Sequence, residues 1–153
     1  MNRLLALTVS VLGLVAIVIG AVFVFQGITK NSLIVQRMEV EKVGLALDPD
    51  NPGQITEIQT GADAQAAADI IASHRRTIAP TYQDLLNGGR FDATNPQHLT
   101  YAQAMNLENY LYMAVTAFGL IQVVMAAGAF MIVTGLALGI SGLLQFRNYA
   151  KAS

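Results

Sequence analysis

The sequence predicts a mainly all-α protein, an integral membrane helical hairpin with a small, mostly helical extracytoplasmic domain inserted between two transmembrane helices. Three observations carry this expectation. Of 153 residues, 54% are hydrophobic and only 12% are charged, roughly half the charge of an ordinary soluble domain. All ten acidic residues lie between Glu39 and Glu108. Outside Lys30–Glu108 the only Lys or Arg residues are Arg3, Arg147 and Lys151. The chain is thus apolar near both ends and polar in the middle.

The first apolar run, Leu4 to Phe25, is 22 residues without a charge. As a helix it covers about 33 Å, enough for a hydrocarbon core of about 30 Å. A cleaved signal peptide would have a shorter apolar region and a small-residue cleavage site. The nearest match, Ile19-Gly20-Ala21, is poor, so residues 1–29 are expected to form an uncleaved signal anchor. The second run, Leu111 to Leu144, is 34 residues and would reach about 51 Å as one helix. Phe146, Arg147, Tyr149 and Lys151 mark one membrane interface. Counting back a bilayer's thickness makes residues 111–146 one long helix, transmembrane from about residue 119. The stretch from about Thr100, with Tyr101, Tyr110 and Tyr112, would stand partly outside the lipid, and residues 147–153 would be a cytoplasmic tail.

The basic flanks set the orientation. By the positive-inside rule both termini face the cytoplasm and residues 30–110 form the extracytoplasmic domain. Lys30 is the one contrary residue.

Small residues recur at seven-residue intervals in both spans: Ala6, Gly13, Gly20 and Gly27 in the first, Gly128, Gly135 and Gly142 in the second. Such a repeat keeps one stripe facing a partner, and minimal side chains let backbones approach closely where lipid removes any hydrophobic drive. Gly135 and Gly139 add a G-x-x-x-G. These eight residues are the expected helix-packing interface, against the other span or another subunit. No Asp, Glu, Lys, Arg or His lies inside either span, which argues against ion pathways and proton relays.

In the middle, Ile34, Met38 and Glu41 continue a helical spacing beyond the first span, and KVGLALD then reads as a short extended stretch. Asp48-Pro-Asp-Asn-Pro-Gly53 is a turn cluster; Asp48, Asp50 and Asn51 do not continue into a calcium loop. Thr60-Gly-Ala-Asp63 predicts a capping box, opening a helix to about Thr77 that Pro80 terminates. The expected buried stripe is Ala64, Ala67, Ile70, Ile71, His74 and Ile78. That places His74 on the packing face, satisfied by a carbonyl or by Tyr82. Arg75 and Arg76 favour the negative end of the helix dipole. Asn87-Gly-Gly89 and Asn95-Pro96 read as turns without phosphate-loop context.

Few residues carry chemistry. There is no cysteine, so thiolate metal sites are excluded. His74 and His98 are the only histidines and the only metal-ligand candidates, and neither has an i+4 His or carboxylate partner. A net charge of −1 offers no basic face for nucleic acid. No cofactor motif is present.

The segment ADIIASHRRTIAPTYQDL, residues 68–85, set between an N-terminal span and a glycine-rich C-terminal one, resembles a family of small two-span bacterial membrane proteins. Their exposed loop carries Ile-Ile-x-x-His and then Tyr-x-x-Leu, here Ile70, Ile71, His74, Tyr82 and Leu85. The resemblance implies a bacterial cell (plasma) membrane and no particular activity. Some members are described as aromatic ring-opening dioxygenases, an activity that needs two His and a carboxylate on one open metal site. The 24-residue separation of His74 and His98 gives no sign of such a site.

The expected role is therefore non-enzymatic: an accessory or scaffold subunit of a membrane assembly, or a homo-oligomer, with the lipid bilayer and other membrane subunits or itself as partners. Two alternatives are an extracytoplasmic small-molecule or cell-envelope ligand sensor, with a pocket beside Tyr82, Phe91 and Tyr101, and a metal-dependent enzyme using His74 and His98.

Overall fold

The structure is a computed structural model in which residues 3–40, 44–45 and 56–151 are described. Four helices dominate: α1 (Arg3–Val40), α2 (Gly61–Ile78), α3 (Tyr82–Leu86) and α4 (Pro96–Lys151). Between α1 and α2, β1 (Gly44–Leu45) and β2 (Thr56–Glu57) form an antiparallel pair in which Gly44 faces Glu57 and Leu45 faces Thr56. The extended stretch expected from KVGLALD is thus represented by Gly44–Leu45. The turn cluster at 48–53 lies outside the described residues.

Two of these helices are long and apolar enough to cross a membrane. The most apolar windows of α1 and α4 have mean hydropathies of 2.8 and 2.3, and each is only 11% buried. The core helix of a soluble protein combines high hydropathy with high burial, and these windows do not. At 38 and 56 residues, the helices reach about 57 and 84 Å, well beyond a hydrocarbon core of about 30 Å.

The chain divides into two compact units, Met1–Ser32 with Leu120–Ser153, and Leu33–Gly119. Thus α1 and α4 each contribute to both. In the first unit the helices pair along their small residues: Ala6, Gly13, Gly20 and Gly27 are buried, and so are Gly128, Gly135 and Gly142. The bulky side chains point outward, Leu14 at 61% exposure and Phe130 at 72%.

The second unit has a core of its own. Ala64, Ala67 and Ala68 of α2 pack with Leu111, Ala114 and Phe118 of α4 and with Ile58, while Ile34, Val35 and Met38 of α1 close the cluster. Alanine on the α2 face brings that helix close to its neighbours; a Cβ on Gly61 would lie 3.2 Å from the Phe118 Cβ. Ile58 retains 1% exposure, and burying a side chain of that size contributes about 1.5–3 kcal/mol.

Local signals account for the ends of α2. Thr60 is extended (φ −132°) and its hydroxyl accepts from the Asp63 amide at 3.2 Å, while the Asp63 carboxylate accepts from the Thr60 amide at 2.9 Å. The capping box is complete. Hydrogen bonding from the Thr60 hydroxyl, supported by the Gln59 and Thr60 amides and opposed by burial, holds the Asp63 carboxyl below its ordinary value. A depressed folded-state value stabilises the fold above the unfolded value, near pH 4. That contribution disappears as pH falls through the folded value. Thr60→Ala is expected to cost about 1 kcal/mol, read as a lower melting temperature and faster amide exchange over residues 61–65.

The buried face of α2 departs from the expected one. It runs through Ala64, Ala67, Ala68 and Ala72, whereas Ile70, Ile71, Arg75 and Ile78 are half-buried and His74 is exposed. The face is turned by less than one residue's step around the helix. The physical reason is that close approach selects the alanines, whereas a reading by bulk selects the isoleucines.

Beyond Pro80, Thr81 caps α3 through the Asp84 amide at 3.2 Å. Asn87 (φ 45°) and Gly88 (φ 79°) then turn the chain in the left-handed region. Asn95 starts α4, its side chain accepting from the Gln97 amide at 2.9 Å, and Pro96 takes the first helical position, where a missing N–H costs nothing.

Candidate functional sites: a helix seam and a buried ion pair

Along the first unit, the seven-residue steps from Ala6 to Gly13 to Gly20 on α1 meet seven-residue steps back along α4 from Gly142 to Gly135 to Gly128. A Cβ built on Gly13 would lie 2.6 Å from the Gly135 carbonyl oxygen, and one on Gly135 would lie 2.6 Å from that of Gly13. The same reciprocity joins Gly20 and Gly128, at 2.5 and 2.7 Å. Real Cβ atoms do not come so near an oxygen, so these positions admit hydrogen alone. Each glycine Cα–H therefore points at a carbonyl across the seam, a weak bond of about 0.5–1 kcal/mol. At one end a Cβ on Gly142 would lie 2.9 Å from the Ala6 carbonyl; at the other, Gly27 faces the Met125 side chain.

Of the eight expected packing residues, seven have their Cβ direction or their buried surface on the seam. Gly139 differs. Its N and Cα lie 2.6 and 3.0 Å from where a Gly13 Cβ would stand, yet a Cβ on Gly139 itself meets nothing within 4 Å. The G-x-x-x-G thus contributes one inward glycine and one whose backbone only borders the contact. Two hydroxyls of α1 bond locally: Thr8 donates to the Leu4 carbonyl and Ser10 to the Ala6 carbonyl, at 2.9 and 3.0 Å.

The second unit holds a polar cluster that the sequence reading did not single out. Arg75 Nε donates to Glu108 Oε2 at 2.7 Å, with side-chain exposures of 12% and 11%, and Arg75 Nη1 donates to the Tyr101 hydroxyl. The Arg75 guanidinium carbon lies 5.0 Å from the Tyr101 ring centroid. Tyr101 is 1% exposed, and its ring centroid is 6.2 Å from that of Tyr82. The Glu108 carboxylate pushes the Arg75 guanidinium above its ordinary value, against burial. Arg75 thus cross-links α2 to α4 and, with Arg76, also lies in the last turn of α2 as expected. One signal was available: Glu108 is the only acidic residue in the 56-residue α4.

The remaining candidates do not converge. His74 is exposed on α2, and its expected partner Tyr82 packs on Tyr101 instead. His98 Nδ1 accepts from the Asp92 amide at 3.0 Å and its ring stacks on Phe91 at 5.6 Å. Both contacts pin the turn before α4. Leu85 is half-buried on α3. Among the described residues, no three His, Asp or Glu side chains are placed to share a metal ion.

Compared with protein-family models, curated proteins and solved structures, the chain matches none. The seam can hold two helices together in lipid, and the cluster can hold α2 to α4.

Proposed function

We propose that the protein is a non-enzymatic membrane protein that crosses the bilayer twice as a helical hairpin and serves as an accessory or scaffold subunit, of a larger assembly or of its own oligomer. One observation carries this reading: the first unit is inverted relative to a soluble fold. Its small residues are buried, and its large apolar side chains, Phe25 at 70% and Val133 at 66% among them, are exposed. Water penalises that arrangement, at about 25 cal/mol per Å² of apolar surface. Lipid does not, and there close backbone packing is what associates helices.

In this reading the cell membrane of a bacterium is the site, both termini are cytoplasmic and residues 30–110 are outside, in keeping with the loop motif at Ile70, Ile71, His74, Tyr82 and Leu85. The test uses the chain's lack of cysteine. The protein should resist alkaline carbonate extraction. In intact cells a membrane-impermeant maleimide should label Ala93→Cys, while Asn148→Cys should react only after lysis. Labelling of both positions in intact cells would refute the second crossing, and the reverse pattern would invert the orientation.

A further inference from the structure

We propose that the end of the hairpin at Lys30 binds one anionic diacyl phospholipid, a reading that rests on the membrane placement proposed above. Two open grooves meet there. The first, about 690 Å³, follows one face of α1 from Ile17 and Val18 past Val22 and Phe25. The second, about 200 Å³, lies between the helices against Leu120, Ile121 and Val124. Gln26 and Lys30 line both.

Polarity runs along the first groove in the order a lipid requires. The deep part is wholly aliphatic and aromatic, and the last turn supplies Gln26, Thr29 and the Lys30 ammonium. From Ile17 to Lys30 the helix rises about 20 Å, somewhat more than one leaflet's share of a hydrocarbon core of about 30 Å. An acyl chain laid along it would bring its headgroup phosphate to the ammonium. The groove between the helices ends under the same residue and suits the second chain. Lysine side chains lie their methylene stems along apolar surface and keep the charge at the interface. This gives a function to the one cation that sits against the positive-inside pattern.

The test is native mass spectrometry of the full-length chain in mild detergent, after incubation with equimolar phosphatidylglycerol and phosphatidylcholine. Retention of phosphatidylglycerol over phosphatidylcholine is expected. Lys30→Gln should lower phosphatidylglycerol retention about fivefold, the effect of one cation at an anionic surface, and leave phosphatidylcholine unchanged. Val22→Trp, which fills the first groove, should lower both. Arg147→Gln, which removes an equal charge elsewhere on the hairpin, should change neither. Equal losses from Lys30→Gln and Arg147→Gln, or no preference between the two lipids, would overturn the site. Carbonate extraction separates the two claims: a chain washed from the membrane defeats the hairpin reading itself. A retained chain indifferent to Lys30 defeats only the lipid site.

Discussion

Replacing Gly135 by Leu is expected to force the two spans apart, with a loss of roughly 2–3 kcal/mol in the stability of the hairpin. The atoms in the way are backbone. The new Cβ would stand 2.6 Å from the Gly13 carbonyl oxygen and 2.9 Å from the Ile17 amide nitrogen, and neither can rotate aside. Gly13→Leu should do the same from the opposite helix. Gly139→Ala supplies the control, because its Cβ meets no atom within 4 Å; a change within about 0.5 kcal/mol is expected there. Reversible unfolding in mixed micelles with increasing sodium dodecyl sulfate measures all three. Equal losses at positions 135 and 139 would show that glycine content, rather than the seam, is what matters.

The second large effect is expected at Glu108. Glu108→Ala leaves the Arg75 guanidinium without its carboxylate in a site where the side chain is only 12% exposed. Breaking a buried pair from one side costs about 3–5 kcal/mol, and the residual exposure places this pair near the lower end. Truncating both partners should cost less than the sum of the single changes, since no charge is then stranded. Glu108→Gln retains an acceptor but no charge, and should fall between wild type and Glu108→Ala. Thermal unfolding of the full chain in detergent gives the four values. If Glu108→Ala melted like wild type, the cluster would have no role in holding α2 to α4.

Some of this could be read from the residues and some could not, for physical reasons. Seven-residue spacing is visible in a sequence because it is a property of one helix, and the structure seats those glycine backbones against each other. Which way a particular glycine points is not visible: Gly139 shares the G-x-x-x-G with Gly135 but borders the contact instead of filling it. The Thr60 cap was legible because a capping box spans four consecutive residues. The face of α2 is misjudged because bulk is a poor guide where close approach matters: the expected stripe includes His74, which is exposed, and leaves out Ala68 and Ala72, which are buried. The pairing of Arg75 with Glu108 joins positions 33 apart on different helices, and only the tertiary fold brings them together. Ile58 escaped for the same reason. A single apolar residue between β2 and the cap of α2 shows no period, yet it is one of the largest fully buried side chains among the described residues.

The most direct test of the hairpin is a disulfide across its seam. A Cβ at position 27 would lie 3.6 Å from the Met125 Cβ, within the span of a disulfide, and the atoms nearest it belong to the Met125 side chain; the native chain has no thiol to compete. Gly27→Cys with Met125→Cys, oxidised in carbonate-washed membranes, should give a bond within one chain, seen as a faster-migrating monomer that dithiothreitol reverses. Exclusive formation of cross-linked dimers, or no bond while both thiols react with maleimide, would contradict the account.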